Sequence, residues 1–215
     1  MIAPIGKSPI PAAVDDAELI ARSTADPEQF AHLYDRHAPE LHRYVVRRLG
    51  DGLADDIVGE TFLIAFRRRA DYDTARPQAR PWLYGIAANL ISRHRRTELR
   101  AYRALARTGV DPVAESYAEA VEGQISARAA RGPLAAALRG LSDADRHVLL
   151  LVAWADLSYD EVAAALGIPV GTVRSRLHRA RKKMRAALGG VNPADAVDFV
   201  DLALTPAPTE EHRHG

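Results

Sequence analysis

Inward-facing residues recur at three- and four-residue steps along most of this chain, which is the periodicity of amphipathic α-helices. The longest such face follows Asp26-Pro27, a cap and a proline that together favour a helix start, and it ends at Gly50. Its inward positions are Phe30, Leu33, Tyr34, His37, Leu41, Tyr44, Val45 and Leu49. The pattern predicts a long helix with these positions in the core.

Two further helices are predicted in the first half of the chain. Residues 53–70 form the first, and residues 71–80 form a loop before the second, which starts at Pro81. The core positions of these two helices are Ile57, Phe62, Leu63, Phe66, Leu83, Ile86 and Leu90.

The pattern changes after Thr97, where large apolar residues become rare and Gly recurs, which predicts a flexible linker. Pro133 starts the second domain, with Leu134, Leu138 and Leu141, and Ser142 caps the helix that follows. We therefore expect an all-α fold of two small helical domains joined by a flexible linker, with a helix-turn-helix in the second domain. The predicted divisions are a disordered tail at 1–14, a first domain at 15–97, a linker at 98–132, a second domain at 133–189 and a short tail at 190–215, with an amphipathic segment at 191–204.

The helix-turn-helix is predicted from its start and stop signals. Ser158 and Glu161 form a capping box, Gly167 is placed to supply the left-handed residue at a helix end, and a basic helix follows over 170–188. In such motifs the second helix enters the major groove of DNA. The side chains there that can bond bases or phosphates are Thr172, Arg174, Ser175, Arg176, His178, Arg179 and Lys182. The alternative is a surface helix whose charges are merely solvated.

Charge is unevenly distributed, although the net charge is only +1. Seven Arg or Lys and no acid lie within 170–188, and eight Arg with one Glu lie within 76–108. Because the rest of the chain is acidic, this pattern predicts two nucleic-acid contacts and at least one acidic surface with another role.

The first domain carries both kinds of surface. Asp55, Asp56 and Glu60 form an acidic patch, which indicates either a partner surface or complementation of the helix dipole. Aromatic and Arg side chains interleave from Tyr72 to Arg96, as in single-strand binders that stack bases and follow the backbone. For Trp82, a core position is the alternative.

Several other classes of protein are disfavoured. The absence of Cys excludes disulfides and thiolate metal sites, and no apolar run is long enough to span a bilayer. His32, His37 and His42 cannot share one helix face at five-residue spacing, and no Walker-type loop occurs. We expect a cytoplasmic protein without membrane insertion, metal site or cofactor, and not an enzyme.

Three stretches, in this order, resemble the extracytoplasmic function (ECF) group of bacterial RNA polymerase sigma factors. They read DDIVGETFLIAFRR, PWLYGIAANLISRHRR and LSDADRHVLLLVAWADLSYDEVAAALGIPVGTVRSRLHRARKKMR. The resemblance implies a transcription initiation factor that binds core RNA polymerase, directs it to specific promoters and helps melt the minus-ten region. An autonomous helix-turn-helix regulator is the alternative, although the sequence lacks a heptad zipper for dimerisation.

The resemblance also implies partners and residue roles. Core RNA polymerase would bind Asp55, Asp56, Glu60 and Phe62. The minus-ten element would bind Tyr72, Arg80, Trp82, Asn89, Arg93, Arg95 and Arg96. The minus-thirty-five element would bind the seven side chains named in the second domain, and an anti-sigma factor would be a further partner. Gly59 departs from the family pattern, which usually has Gln there, and a helical Gly costs about 1 kcal/mol relative to Ala.

Overall fold

The computed structural model describes residues 14–107 and 133–187, and every regular element in these two ranges is helical. The all-α prediction is therefore confirmed. Most of the predicted linker, the N-terminal tail and the segment at 191–204 lie outside the described residues. The helices are α1 (Asp16–Arg22), α2 (Ala31–Leu49), α3 (Ala54–Arg67), α4 (Arg80–Arg107), α5 (Pro133–Arg139), α6 (Asp143–Ala153), α7 (Tyr159–Leu166) and α8 (Val170–Ala187).

Residues 14–107, the first unit, pack α1 to α4 around one apolar core. Asp26 caps a short 3-10 turn at Pro27–Phe30 that leads into α2. Short 3-10 turns at Asp51–Leu53 and Arg69–Asp71 flank α3. The fully buried centre of this unit includes Leu33, Leu41, Tyr44, Leu83 and Ile91, so the predicted core face of α2 is largely correct.

Two predicted core positions in the first unit are wrong. Tyr34 is 48% exposed and Leu63 is 46% exposed. Both belong to helices whose opposite sides fill the core, and each lies at the margin of its apolar face. Side-chain periodicity alone does not show where such a face meets solvent.

Helix α4 also continues to Arg107, past the predicted domain end at Thr97. Between Thr97 and Gly109 no Gly or Pro interrupts the sequence, and this stretch is rich in Ala, Arg and Leu, which are strong helix formers.

Residues 133–187, the second unit, contain the helix-turn-helix formed by α7 and α8. The Ser158–Glu161 capping box is present in both directions, and Gly167 ends α7 with a φ of 62°, in the left-handed region. Both predictions are confirmed. Val173, Leu177, Ala180 and Met184 bury one side of α8, which packs against α5, α6 and α7.

The two units lie directly against each other. Helix α4 of the first unit packs along α7 of the second, with a smaller contact to α6. Gly85 makes the close approach possible, since a methyl group placed there would overlap the carbonyl oxygen of Ala165 and lie 3.0 Å from its carbonyl carbon.

Candidate nucleic-acid and polymerase interfaces

An acidic patch covers the first half of α3. Asp55, Asp56 and Glu60 are all exposed, and the side chain of Asp55, which is 94% exposed, lies 3.2 Å from His42 Nε2. Asp56, Glu60 and Leu63 follow one another at helical spacing, so they share one side of α3.

Phe62 lies beneath this patch and not on it. Its side chain is 6% exposed, and its ring makes an edge contact with Tyr34 at a centroid distance of 4.8 Å. Of the two aromatic rings it is therefore Tyr34 that offers a surface. Together with Leu63 it adds an apolar margin to the acidic patch, which the sequence pattern did not indicate because both residues were assigned to the core.

The loop between α3 and α4 is tied to the start of the chain by Asp16. The carboxylate accepts hydrogen bonds from the backbone of Ala79 at 2.8 Å and from Arg36 at 2.6 Å, and lies 2.8 Å from His37 Nε2. Burial by itself would raise the pKa of Asp16, but the hydrogen bonds and charge of these partners hold that pKa below its usual value. The Pro77 carbonyl also accepts from the backbone of Asp16. The loop is therefore fixed in position.

Tyr72 and Trp82 form an aromatic pair at the base of this loop. Their ring centroids are 4.9 Å apart, and the Tyr72 hydroxyl lies 2.8 Å from the Arg76 carbonyl and 3.0 Å from that of Gln78. Burial, with a smaller contribution from nearby Asp16, raises the pKa of Tyr72 to about 12. Trp82 is half-buried, so it packs on the core and keeps one part of its ring accessible.

Four of the residues assigned to the minus-ten element fall on one side of α4. Trp82, Asn89, Arg93 and Arg96 recur at seven-, four- and three-residue steps, and the last three are exposed. We call these four residues the α4 stripe.

Arg80 and Arg95, also assigned to that element, lie away from the α4 stripe. Arg80 Nε is 3.3 Å from Glu40 Oε2, and its guanidinium lies over the Tyr84 ring. Arg95 donates to the Arg48 carbonyl at 2.8 Å. Burial, with the nearby charges of Arg48 and Arg146, lowers the pKa of Arg95 to about 9. In this arrangement Arg95 is directed into the contact between the units.

The recognition helix α8 presents a cationic face. Arg174, Ser175, His178, Arg179 and Lys182 are exposed, while their helix is held by the buried apolar side. Thr172 and Arg176 are half-buried. The Thr172 carbonyl accepts from Ser175 Oγ at 3.0 Å, which fixes the Ser175 side chain near the helix start.

Asp145 of α6 orients one cation of this face. Its side chain is nearly buried, and it lies 3.2 Å from Arg179 Nη2. The sequence pattern did not single out Asp145, because its spacing from Arg179 along the chain carries no local signal. Asp145 therefore holds Arg179 in place on the cationic face of α8.

Within the described ranges, no helix is long and apolar enough to cross a membrane. The same two ranges hold no group of three or more His, Cys, Asp or Glu side chains placed to bind a metal ion.

Comparison with known proteins identifies the family. The model described as Sigma-70 region 2 matches residues 33–108, and the model described as Sigma-70, region 4 matches residues 131–184. ECF RNA polymerase sigma factor SigL of Mycobacterium tuberculosis is 35% identical over 174 residues, which cover 80% of this chain and 96% of SigL. The chain belongs to the ECF RNA polymerase sigma factors.

Other relatives agree with this assignment. RNA polymerase sigma factor CarQ of Myxococcus xanthus is 33% identical over 75% of this sigma factor and 90% of its own length. The structure of CnrH in complex with the cytosolic domain of CnrY matches with a TM-score of 0.55 and 28% identity, covering 81% of this chain and 97% of CnrH. RpoE of Bartonella quintana has the same fold, with a TM-score of 0.56 at 21% identity over 75% of this chain and 98% of its own.

Membership decides between the two functions that the sequence left open. This sigma factor is an initiation factor that directs RNA polymerase to promoters, and the alternative of an autonomous helix-turn-helix regulator is wrong. Both family models match, and each covers one of the two units.

Proposed function

We infer that the sigma factor divides its task between three surfaces. The acidic patch of α3 binds core RNA polymerase, the loop at 72–79 with the α4 stripe captures the minus-ten element, and the face of α8 reads the minus-thirty-five element. The protein acts in the cytoplasm, where the polymerase transcribes. One observation carries this proposal. Each of the three surfaces has exposed charged side chains, and each lies on an element that is held in place by buried residues or hydrogen bonds on its other side.

For the polymerase surface, the exposed residues are Asp55, Asp56 and Glu60, with Tyr34 and Leu63 at its margin. Phe62 packs beneath Tyr34 and does not itself contact the polymerase. These exposed carboxylates attract a basic partner electrostatically. The exposed apolar side chains beside them become stabilising when binding buries them.

For the minus-ten element, the fixed loop and the α4 stripe suit single-stranded DNA. Arg93 and Arg96 can bind successive phosphates of the strand. Asn89 lies between these arginines and Trp82 on the α4 stripe, and it can hydrogen-bond a base edge. The accessible part of the Trp82 ring can stack on a base. Tyr72 holds the ring of Trp82 in place, and Arg80 is held by Glu40 for a phosphate at the edge of the loop. Arg95 joins this surface only when the two units separate.

For the minus-thirty-five element, Arg174, Ser175 and His178 lie in the first turns of α8 and suit base edges. Thr172, half-buried at the helix start, holds Ser175. Arg176 and Arg179 can bond phosphates or bases, and Lys182, further along, suits the phosphate backbone. We also infer an anti-sigma factor as partner, since RpoE of Bartonella quintana was solved in complex with the anti-sigma factor NepR, and CnrH in complex with the cytosolic domain of CnrY.

The test is transcription in vitro with core RNA polymerase and a pool of promoter DNA. Transcript starts that depend on the protein and share two spaced upstream elements are expected. Glu60→Lys should raise the protein concentration needed for half-maximal transcription by at least about tenfold, the scale of one lost charged contact. Glu28→Lys, which reverses an exposed acid outside the patch, is the matched control. Equal losses in the two variants would show that α3 does not bind the polymerase.

A further inference from the structure

The loop between α3 and α4 is bonded to α1 through both backbone and side chain. The Pro77 carbonyl accepts the backbone N–H groups of Asp16 at 3.1 Å and of Ala17 at 3.3 Å, so it takes two of the donors that the first turn of a helix leaves without partners. The Asp16 carboxylate, which is 5% exposed, accepts the Ala79 N–H at 2.8 Å. The residues on either side of Gln78 are therefore both bonded to α1.

The Tyr72 hydroxyl holds the same segment a second time. It lies within hydrogen-bonding distance of the Arg76 and Gln78 carbonyls, while its ring stays against Trp82. The backbone carbonyls of three successive residues, 76 to 78, thus all lie against donors of the protein. This end of the loop has little conformational freedom as a result.

The other end of the loop is an exposed turn shaped by Asp73. The Asp73 carboxylate accepts the Ala75 N–H at 3.1 Å and lies 3.3 Å from Arg76 Nε, and its carbonyl accepts the Arg76 N–H at 3.0 Å. An Asp that bonds the backbone two residues on is a common turn former, and residues 73–78 are all exposed. The loop therefore has a fixed base and an exposed tip, which is how a rigid scaffold presents binding residues.

Stability alone does not account for the burial of Asp16. A buried carboxylate loses its hydration, and replacing a buried ion pair by apolar residues of similar volume is often neutral or stabilising. The carboxylate instead supplies geometry, because it joins Arg36 of α2 to Ala79 of the loop. It thereby sets the position of the loop relative to the helices of the first unit.

We propose that Asp16 is a positioning residue for promoter choice: it makes no contact with DNA, and it fixes the loop in the shape that accepts the preferred bases of the minus-ten element. The proposal rests on the proposed assignment of this loop to that element. A preformed loop avoids the entropy loss of ordering on binding, and binding groups discriminate well only when held to within about 0.5 Å. A loosened loop should therefore still bind single-stranded DNA but accept the wrong bases more readily.

The test variant is Asp16→Asn, and Asp15→Asn is its matched control. A carboxamide has one acceptor oxygen in place of two, so it cannot serve Arg36 and Ala79 together. Asp15 is the neighbouring acid, and it caps α1 by accepting the Glu18 N–H at 2.8 Å. Because Asn caps helices as well as Asp does, the control removes the same charge and leaves the bonds between Asp16 and the loop in place.

Hydrogen exchange in the full-length protein measures how firmly the loop is held. Weakening the bond to a carboxylate should speed exchange of the Ala79 amide on the order of tenfold in Asp16→Asn. Exchange at this amide in Asp15→Asn should match that of the unaltered protein. Circular dichroism on each variant checks that the helices are intact.

Transcription by the polymerase holoenzyme, on promoters altered one base at a time, measures base choice. Where the unaltered protein prefers one minus-ten base by about tenfold, the scale of a single mismatch, Asp16→Asn should lower the preference to about two- to threefold. Preferences within the minus-thirty-five element should not change. A merely structural defect would lower the activity on all promoters by one factor and leave every preference as it was.

Tyr72→Phe covers the case in which Asp16→Asn fails to fold. It keeps the ring against Trp82 and removes only the hydroxyl at the Arg76 and Gln78 carbonyls, so it should lower the same minus-ten preferences. Because both groups hold one segment, the effects of the two substitutions should not be additive.

The proposal is overturned if Asp16→Asn and Asp15→Asn give the same exchange at Ala79, or if the preferences survive in folded Asp16→Asn or in Tyr72→Phe. Arg76→Ala, a change in the exposed tip, separates this failure from that of the proposed surface. If Arg76→Ala alters the minus-ten preferences and Asp16→Asn does not, the loop reads bases without Asp16. If neither alters them, the loop does not face the minus-ten element and its proposed function fails as well.

Discussion

At the scale of single residues, His147 lies buried where the two units meet, among several arginines. Burial, and then the charges of the surrounding arginines, lower its pKa to about 3. The charged groups that act on it or on these arginines are Arg48, Arg95, Arg96, Arg146 and Asp143. Ser92 Oγ also lies 3.0 Å from the Ala88 carbonyl. Its single proton can serve either that carbonyl or His147, and the neutral imidazole can accept or donate in turn.

This shift predicts a loss of stability in mild acid. Above about pH 6.5 the imidazole is neutral in both folded and unfolded chains, so its contribution is fully present. Between about pH 6.5 and 3 only the unfolded chain takes up a proton, and the free energy of unfolding falls by up to about 1.4 kcal/mol per pH unit. From pH 7 to 5 we expect a loss of about 2 kcal/mol in urea unfolding, reduced in His147→Gln. Parallel curves for the two proteins would contradict the burial of His147 among cations. The titration of Asp16 does not contribute to the change in stability between pH 7 and 5, because its lowered pKa confines its effect to pH values below about 4.

On the recognition helix, Arg174 and Lys182 should behave differently although both are exposed. Arg174 lies in the first turns, where side chains reach base edges, so Arg174→Ala should cost about 1–3 kcal/mol on the cognate element and less on altered sequences. Lys182→Ala should weaken binding evenly across sequences and lower the salt slope by about 1. Fluorescence anisotropy with polymerase holoenzyme and a set of altered elements measures both. Identical profiles for the two variants would mean that the N-terminal turns of α8 do not read bases.

At the scale of elements, the turn between α7 and α8 sets the angle of the recognition helix. Gly167 has a φ of 62°, and the Pro169 carbonyl accepts the backbone N–H groups of Thr172 and Val173. Placing a residue with a side chain in the left-handed conformation costs roughly 1–2 kcal/mol. The end of α7 therefore depends on Gly167, as its start depends on the Ser158 cap.

We expect Gly167→Ala to lower the free energy of unfolding by about 1 kcal/mol. Gly171→Ala is the control, because Gly171 lies in α8 without a positive φ and with open space around its position; it should be neutral or stabilising. Thermal denaturation followed by circular dichroism compares the two. A Gly167→Ala protein as stable as the control would mean that the turn can relax without a left-handed residue.

At the scale of the whole molecule, the contact joins two units that the sequence describes as separate. The buried residues of both units form one continuous apolar cluster, so unfolding of one unit exposes apolar surface on the other. Two small domains that share a core in this way should unfold together.

The two tryptophans allow this to be tested, since Trp82 lies in the first unit and Trp154 in the second. In a Trp82→Phe background, the emission of Trp154 should change at the same urea concentration as the far-UV circular dichroism. Adding Gly85→Ala should separate the two transitions, and Gly59→Ala should leave them coincident. Separate transitions in the background protein itself would contradict a shared core.

The sequence by itself determined the elements, the helix-turn-helix and the family, because caps, Gly positions and apolar periodicity are local signals. The Ser158–Glu161 capping box and the left-handed Gly167 are fixed by neighbours within a few residues, so they could be predicted. The three sequence stretches that resemble ECF sigma factors are likewise contiguous. The exposed stripe of α4 follows from the same periodicity once its buried side is known.

The tertiary structure alone decided which of these residues meet. Asp16 holds a loop some sixty positions away, at Ala79, and Asp145 orients Arg179 from another helix. Tyr34 and Leu63 are exposed because the core ends beside them. In the sequence Gly85 looks like any other glycine within a helix, and only the packing of α7 on α4 shows that Ala165 lies against it. Contacts between distant residues depend on which helices pack together, and apolar periodicity marks the buried face of a helix but not the helix that covers it.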